Sequence, residues 1–112
     1  MAETVDVQET TIGVGTVIAI LLFGYGTFVR ESVFGIDAVS LAVGAFGLTF
    51  VAVGSLHGAY GRGDFALAHL VAGVGLFLVA FAATALQVLG GYALLLAGGG
   101  YIAVTTIRTR DE

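Results

Sequence analysis

Two histidines, His57 and His69, are the only side chains deep in the apolar part of this 112-residue chain that could do acid–base or ligand chemistry. Paired neutral imidazoles can ligate haem or a metal, or relay protons near neutral pH. The two lie six residues before and six after Gly63. An antiparallel helical hairpin turning at Gly63 therefore brings them to similar depth, roughly one to one and a half turns below the surface. A metal would need both rings turned into one cavity with a further donor, and that hairpin offers only Tyr60 and Asp64. Haem would need a larger apolar slot than tightly packed glycine faces leave. Histidines near a membrane surface more often bond a carbonyl or water, so His57 and His69 stand as candidate cofactor-binding residues that we expect to be empty, with no cofactor and no metal.

The rest of the chain offers less chemistry. Cysteine is absent, which removes disulfides, thiolate zinc sites and redox pairs. No nucleophile–base arrangement, carboxylate pair or phosphate-cradling motif occurs, and Thr16, Thr27, Thr49, Ser55 and Thr84 can each bond back to their own helix. We expect no enzyme. Arg62-Gly63-Asp64 spells a cell-adhesion tripeptide, but two glycines and an acid between hydrophobic runs account for it as a turn.

Any such residues must be positioned by elements that lipid, not water, surrounds. Hydrophobic residues make up 58% of the chain and charged residues 11%, too few to cover a soluble domain, and the mean hydropathy is +1.04. The charges cluster and leave three uncharged stretches, 10–29, 38–61 and 65–107. An intramembrane charge costs at least ~2.5 kcal/mol on insertion scales, so these gaps read as membrane spans. The net charge is −4, without a basic patch, which argues against nucleic acid.

The pattern predicts an all-α integral membrane bundle of four transmembrane helices, arranged as two tandem hairpins if the chain is duplicated. An acidic tail, 1–10, lacks the basic start of a signal peptide and is expected to be loose. Helices are expected at 11–29, 38–60, 65–89 and 92–107, with a charged tail at 108–112. The ten Ile, Leu, Val and Phe residues from Ile12 to Val29 contribute about −3 to −6 kcal/mol to insertion. Asp37 and Asp64 are placed to cap the second and third helices. Gly90-Gly91 is expected to close the third. The fourth, with Gly98-Gly99-Gly100 costing about 1 kcal/mol per glycine in helicity, is marginal. A slide of 56 residues superposes Leu22 on Leu78, Gly35 on Gly91 and Gly44 on Gly100, too few identities to outweigh chance in so apolar a chain. Tyr25, Tyr60, Tyr92 and Tyr101 are the available aromatic interfacial anchors. With Arg62, Arg108 and Arg110 on one side and Arg30 on the other, the arginine bias places both termini in the cytoplasm of a multi-pass cell-membrane protein.

Within lipid, helices meet through small residues that let backbones approach. The second helix carries Ser40, Gly44, Gly47, Val51, Gly54 and Gly58 on one face, and the third carries Ala66, His69, Gly73, Leu76, Ala80, Ala83 and Gln87. The packing residues expected from these stripes are Ser40, Gly44, Gly47, Gly54, Gly58, Gly73, Ala80 and Gln87, with Gln87 hydrogen-bonded inside the bundle.

Acid excess, arginine without lysine, and abundant Ala, Gly and Val resemble the usage of small membrane proteins of halophilic archaea, a likeness of composition over the whole chain without a motif. Length and helix count resemble the small multidrug resistance exporters, but that family's essential first-helix glutamate has no counterpart in Thr11 to Val29. Three functional classes follow: a structural or accessory membrane protein assembling with itself or a larger complex, a small exporter of that kind, and a haem- or metal-binding subunit using His57 and His69. The first is the expectation, with the lipid bilayer as the first partner.

Overall fold

A computed structural model describes residues 2–111, with side chains described for 7–110. Four helices, α1 (Ala2–Phe28), α2 (Ala38–Ala59), α3 (Gly63–Phe81) and α4 (Ala85–Asp111), form an all-α bundle; a short antiparallel ribbon of β1 (Ser32–Val33) and β2 (Ile36–Asp37) joins the first two. Each helix contains a stretch long and apolar enough to cross a membrane, from 19 residues in α3 to 26 in α4. At ~1.5 Å per residue even the shortest nearly spans a ~30 Å hydrocarbon core. This is the build of a small multi-pass membrane protein.

The inside of the bundle is made of small residues. Its buried apolar side chains are Ala19, Ala38, Ala42, Val53, Ala68 and Ala72, whereas Phe28, Leu86 and Leu96 stand 73% or more exposed. A soluble protein would bury the large residues. Here lipid solvates them, and the short side chains let the helices close up. The helices pack antiparallel in chain order, α1 on α2, α2 on α3 and α3 on α4. The start of α1, the α2–α3 turn and the end of α4 therefore share one end of the bundle.

Several expectations need correction. The first ten residues are not a loose tail, since α1 is helical from Ala2. No glycine or proline interrupts it before Gly13, and Glu3, Asp6 and Glu9 lie near a helix start, where the backbone dipole favours acids. The α1–α2 connection is a β-hairpin, with φ of 52° at Phe34 and 80° at Gly35, the two positive angles that a type I′ turn needs. Asp37 caps α2, its carboxylate accepting from the Ser40 backbone N–H at 2.9 Å and from the Ser40 hydroxyl at 3.1 Å.

The largest correction is the third break. Helix α3 ends at Phe81, and α4 runs unbroken from Ala85 through Gly90-Gly91 and Gly98–Gly100 for 27 residues, so the fourth helix is neither short nor frayed. Thr84-Ala85-Leu86-Gln87 is a capping box. Gln87 Oε1 accepts from the N–H groups of Ala83 (2.7 Å) and Thr84 (3.3 Å), and Thr84 Oγ1 accepts from the Gln87 N–H (3.2 Å). Gln87 thus starts a helix at the bundle's end instead of bonding inside it. Two of these glycines, Gly91 and Gly98, let the α3 backbone lie against α4: a Cβ on Gly91 would come 2.8 Å from the Gly75 carbonyl oxygen. The 56-residue slide consequently pairs Gly35, in a turn, with Gly91, in mid-helix.

Candidate functional site

The α2–α3 turn returns the chain through Gly61, at a φ of 89°, and Arg62. This turn brings His57, near the end of α2, against His69, in the second turn of α3, with ring centroids 4.9 Å apart and planes 33° from parallel. Phe65 packs on His57 at 5.3 Å and edge-on to His69 at 6.3 Å, and Phe50 approaches His69 at 5.7 Å. The two imidazoles are thus in contact as well as level.

His69 is oriented by its own helix, with Nδ1 2.8 Å from the Phe65 carbonyl oxygen. A carbonyl can only accept, so Nδ1 carries the proton and the neutral ring keeps its lone pair on Nε2. That tautomer suits a ligand or a base. No group of three or more His, Cys, Asp or Glu that could hold a metal ion occurs among the described residues. His69 lines a cavity of about 200 Å³ together with Thr16 of α1 and Phe46, Thr49, Phe50 and Val53 of α2.

Beside the histidines lies a polar group that joins three elements. Asp64 is not the cap of α3, which begins one residue earlier at Gly63 and has no side-chain cap. Its carboxylate instead accepts from Arg62 Nε and Nη2, both at 3.2 Å, and from the Tyr101 hydroxyl at 2.9 Å. The carboxylate raises the pKa of the Arg62 guanidinium above its usual value. Arg62 also lies 4.2 Å from the centre of the Phe65 ring, and Phe65 meets Tyr101 edge-on at 6.3 Å. The pair is solvent-exposed, so its contribution is to positioning and not to stability. Tyr101 is 37 residues from Asp64, a link that no local spacing announces.

The small residues singled out in α2 and α3 fall into distinct places. A Cβ on Gly47 would come 3.2 Å from the Gly73 carbonyl oxygen, and one on Gly54 would come 3.0 Å from both Ala66 O and His69 Cβ. Gly44 faces the Phe81 and Phe77 rings, and Gly58 faces Ala66. Ser40 belongs to the α2 cap, Gln87 to the α4 cap, and Ala80 is half-buried. Sequence reasoning passed over Gly75, Gly91 and Gly98, which bring α3 and α4 together, and Gly15 and Gly26, which meet Thr49 and Ala38 of α2. Their signal was available in the same glycine content, but without a fixed helix start their facing could not be assigned.

No family model, no curated protein and no solved structure matches this chain. Its function must therefore be argued from its own residues.

Proposed function

We propose that this multi-pass membrane protein has a structural or accessory role, assembling in the bilayer with copies of itself or with larger membrane subunits through glycine-rich helix faces. The observation that carries this reading is the outer face of α4. Gly90, Ala93, Ala97, Gly100 and Val104 follow at alternating spacings of three and four, so they share one side of the helix. A Cβ on Gly90 or Gly100 would meet nothing within 4 Å. Open space beside small residues lets membrane helices associate. Resonance energy transfer between labelled copies in lipid vesicles tests it. We expect transfer that falls on lipid dilution and is weakened by Gly100→Leu. Transfer no greater than for a non-associating control, with no membrane protein captured by cross-linking in cells, would overturn the reading.

The arginine distribution supports an orientation with both termini in the cytoplasm. Reporter fusions at residues 10, 35, 63, 83 and the C-terminus should read in, out, in, out, in. An external signal at both 63 and the C-terminus would reverse it. The contact between His57 and His69, with His69 Nε2 left as an acceptor, favours a second reading, a haem- or metal-binding subunit. Under the first reading His57→Phe and His69→Phe proteins carry the same metal and haem content as the parent, namely none. Stoichiometric metal, or an absorption band near ~400–430 nm lost in either variant, would favour the second.

A further inference from the structure

Arg62, Phe65, Thr106, Thr109 and Arg110 line a cavity of about 310 Å³ between the α2–α3 turn and the last turns of α4. It lies at the end of the bundle that also holds the termini of α1 and α4, where a membrane helix meets the lipid headgroups. Its donors suit a phosphate. Arg62 commits Nε and Nη2 to Asp64, which leaves Nη1 to face another oxygen. The Arg110 guanidinium adds a second planar donor, and arginine is the side chain best matched to the geometry of phosphate oxygens. The Thr106 hydroxyl is a further donor, whereas Thr109 donates to the Thr105 carbonyl at 2.8 Å and offers only its lone pairs.

An aromatic cluster adjoins this cavity. Phe65 lines it and packs against His57 and His69, and His69 in turn lines the cavity of about 200 Å³ with Phe46, Phe50 and Val53. Cationic groups at the interface thus stand beside an aromatic ring at the end of an apolar bundle. That sequence of surroundings matches an anionic amphiphile, not a free ion. We propose that Arg62 and Arg110 bind the phosphodiester headgroup of an anionic phospholipid, with one acyl chain lying against Phe65. Basic pockets between membrane helices hold such headgroups by charge, and each arginine near the surface changes the affinity about fivefold.

The purified full-length chain, in neutral detergent with equimolar phosphatidylglycerol and phosphatidylcholine, is examined by native mass spectrometry. Phosphatidylglycerol should be retained at least about fivefold over phosphatidylcholine. Arg110→Gln should remove most of that preference, Arg110→Lys should keep much of it, and Arg30→Gln, at the opposite end, should leave it unchanged. Arg62→Gln should act like Arg110→Gln; if that variant is not recovered folded, Arg110→Gln alone decides. Equal retention of the two lipids would overturn the proposal, as would an equal loss in Arg30→Gln. Displacement of phosphatidylglycerol by millimolar inorganic phosphate would assign the site to a free anion and overturn the lipid as occupant.

Discussion

The hairpins α1/α2 and α3/α4 both use glycine at the interface, but they use it against different partners. In α3/α4 the glycines oppose backbone: a Cβ on Gly75 would lie 2.5 Å from the Gly91 carbonyl oxygen, and one on Gly98 would fall on the Ala68 carbonyl oxygen. In α1/α2 they oppose side chains, Thr49 over Gly15 and Ala38 over Gly26. Neither contact opens by a change of rotamer alone, since the Cβ atoms of Thr49 and Ala38, each 2.8 Å from the Cβ a glycine would gain, move only with their helix, as a helical carbonyl does. The same residue type therefore admits a neighbouring backbone in one hairpin and the root of a neighbouring side chain in the other. Burial follows a different division: 28% and 22% of the apolar stretches of α2 and α3 are buried, against 6% and 11% in α1 and α4, because the middle helices have neighbours on two sides.

Substitutions can break this contrast. The largest effect is expected at the backbone contact, where Gly91→Ala forces α3 and α4 apart at a cost of about 1–3 kcal/mol and Gly91→Leu costs more. Unfolding in mixed detergent measures it. A Gly91→Ala protein as stable as its parent would show that the approach at Gly75 is not tight. Thr84→Ala comes next, because it removes an N-cap worth ~1 kcal/mol and should loosen the start of α4, seen as faster amide exchange at residues 84–88. If exchange there is unchanged, the α3–α4 junction is held by packing alone.

At the side-chain contact, Gly15→Ala should cost about 1 kcal/mol net, because Thr49 Cβ, 2.8 Å from the added Cβ, moves only with the α2 backbone, while alanine's better helix propensity offsets part of that overpacking. A Gly15→Ala protein as stable as its parent would show that α1 and α2 can part at this level without cost. The smallest effect is expected at the ribbon. Phe34 is fully exposed at a φ of 52°, which asparagine adopts more readily, so Phe34→Asn should leave stability unchanged or raise it by less than ~1 kcal/mol. A clear loss would mean that the Phe34 ring contributes through contact with lipid.

The number of spans was legible because charge is costly in hydrocarbon, so Arg30, Asp37, Arg62 and Asp64 mark two of the turns directly. The third turn carries no charge, and there the reading failed. Gly90-Gly91 resembles a helix end, and only the backbone of Gly75 lying opposite shows it to be a close approach. The Thr84–Gln87 capping box is present in the sequence, but the reading of Gly90-Gly91 as a helix end passed over it. In the candidate site, counting residues from Gly63 placed His57 and His69 at one depth. It did not place Tyr101 on Asp64, because that contact depends on where α4 begins.

The sequence by itself determined that this chain is a four-helix membrane protein with a polar turn at Gly61–Asp64, since transfer of charged and apolar groups between water and lipid depends on each residue's own chemistry. The tertiary structure alone decided which glycines are contacts, which way His69 is held and which helix completes the Asp64 site. Those outcomes depend on what lies across an interface, and helix register, unlike hydrophobicity, is a property of two segments together.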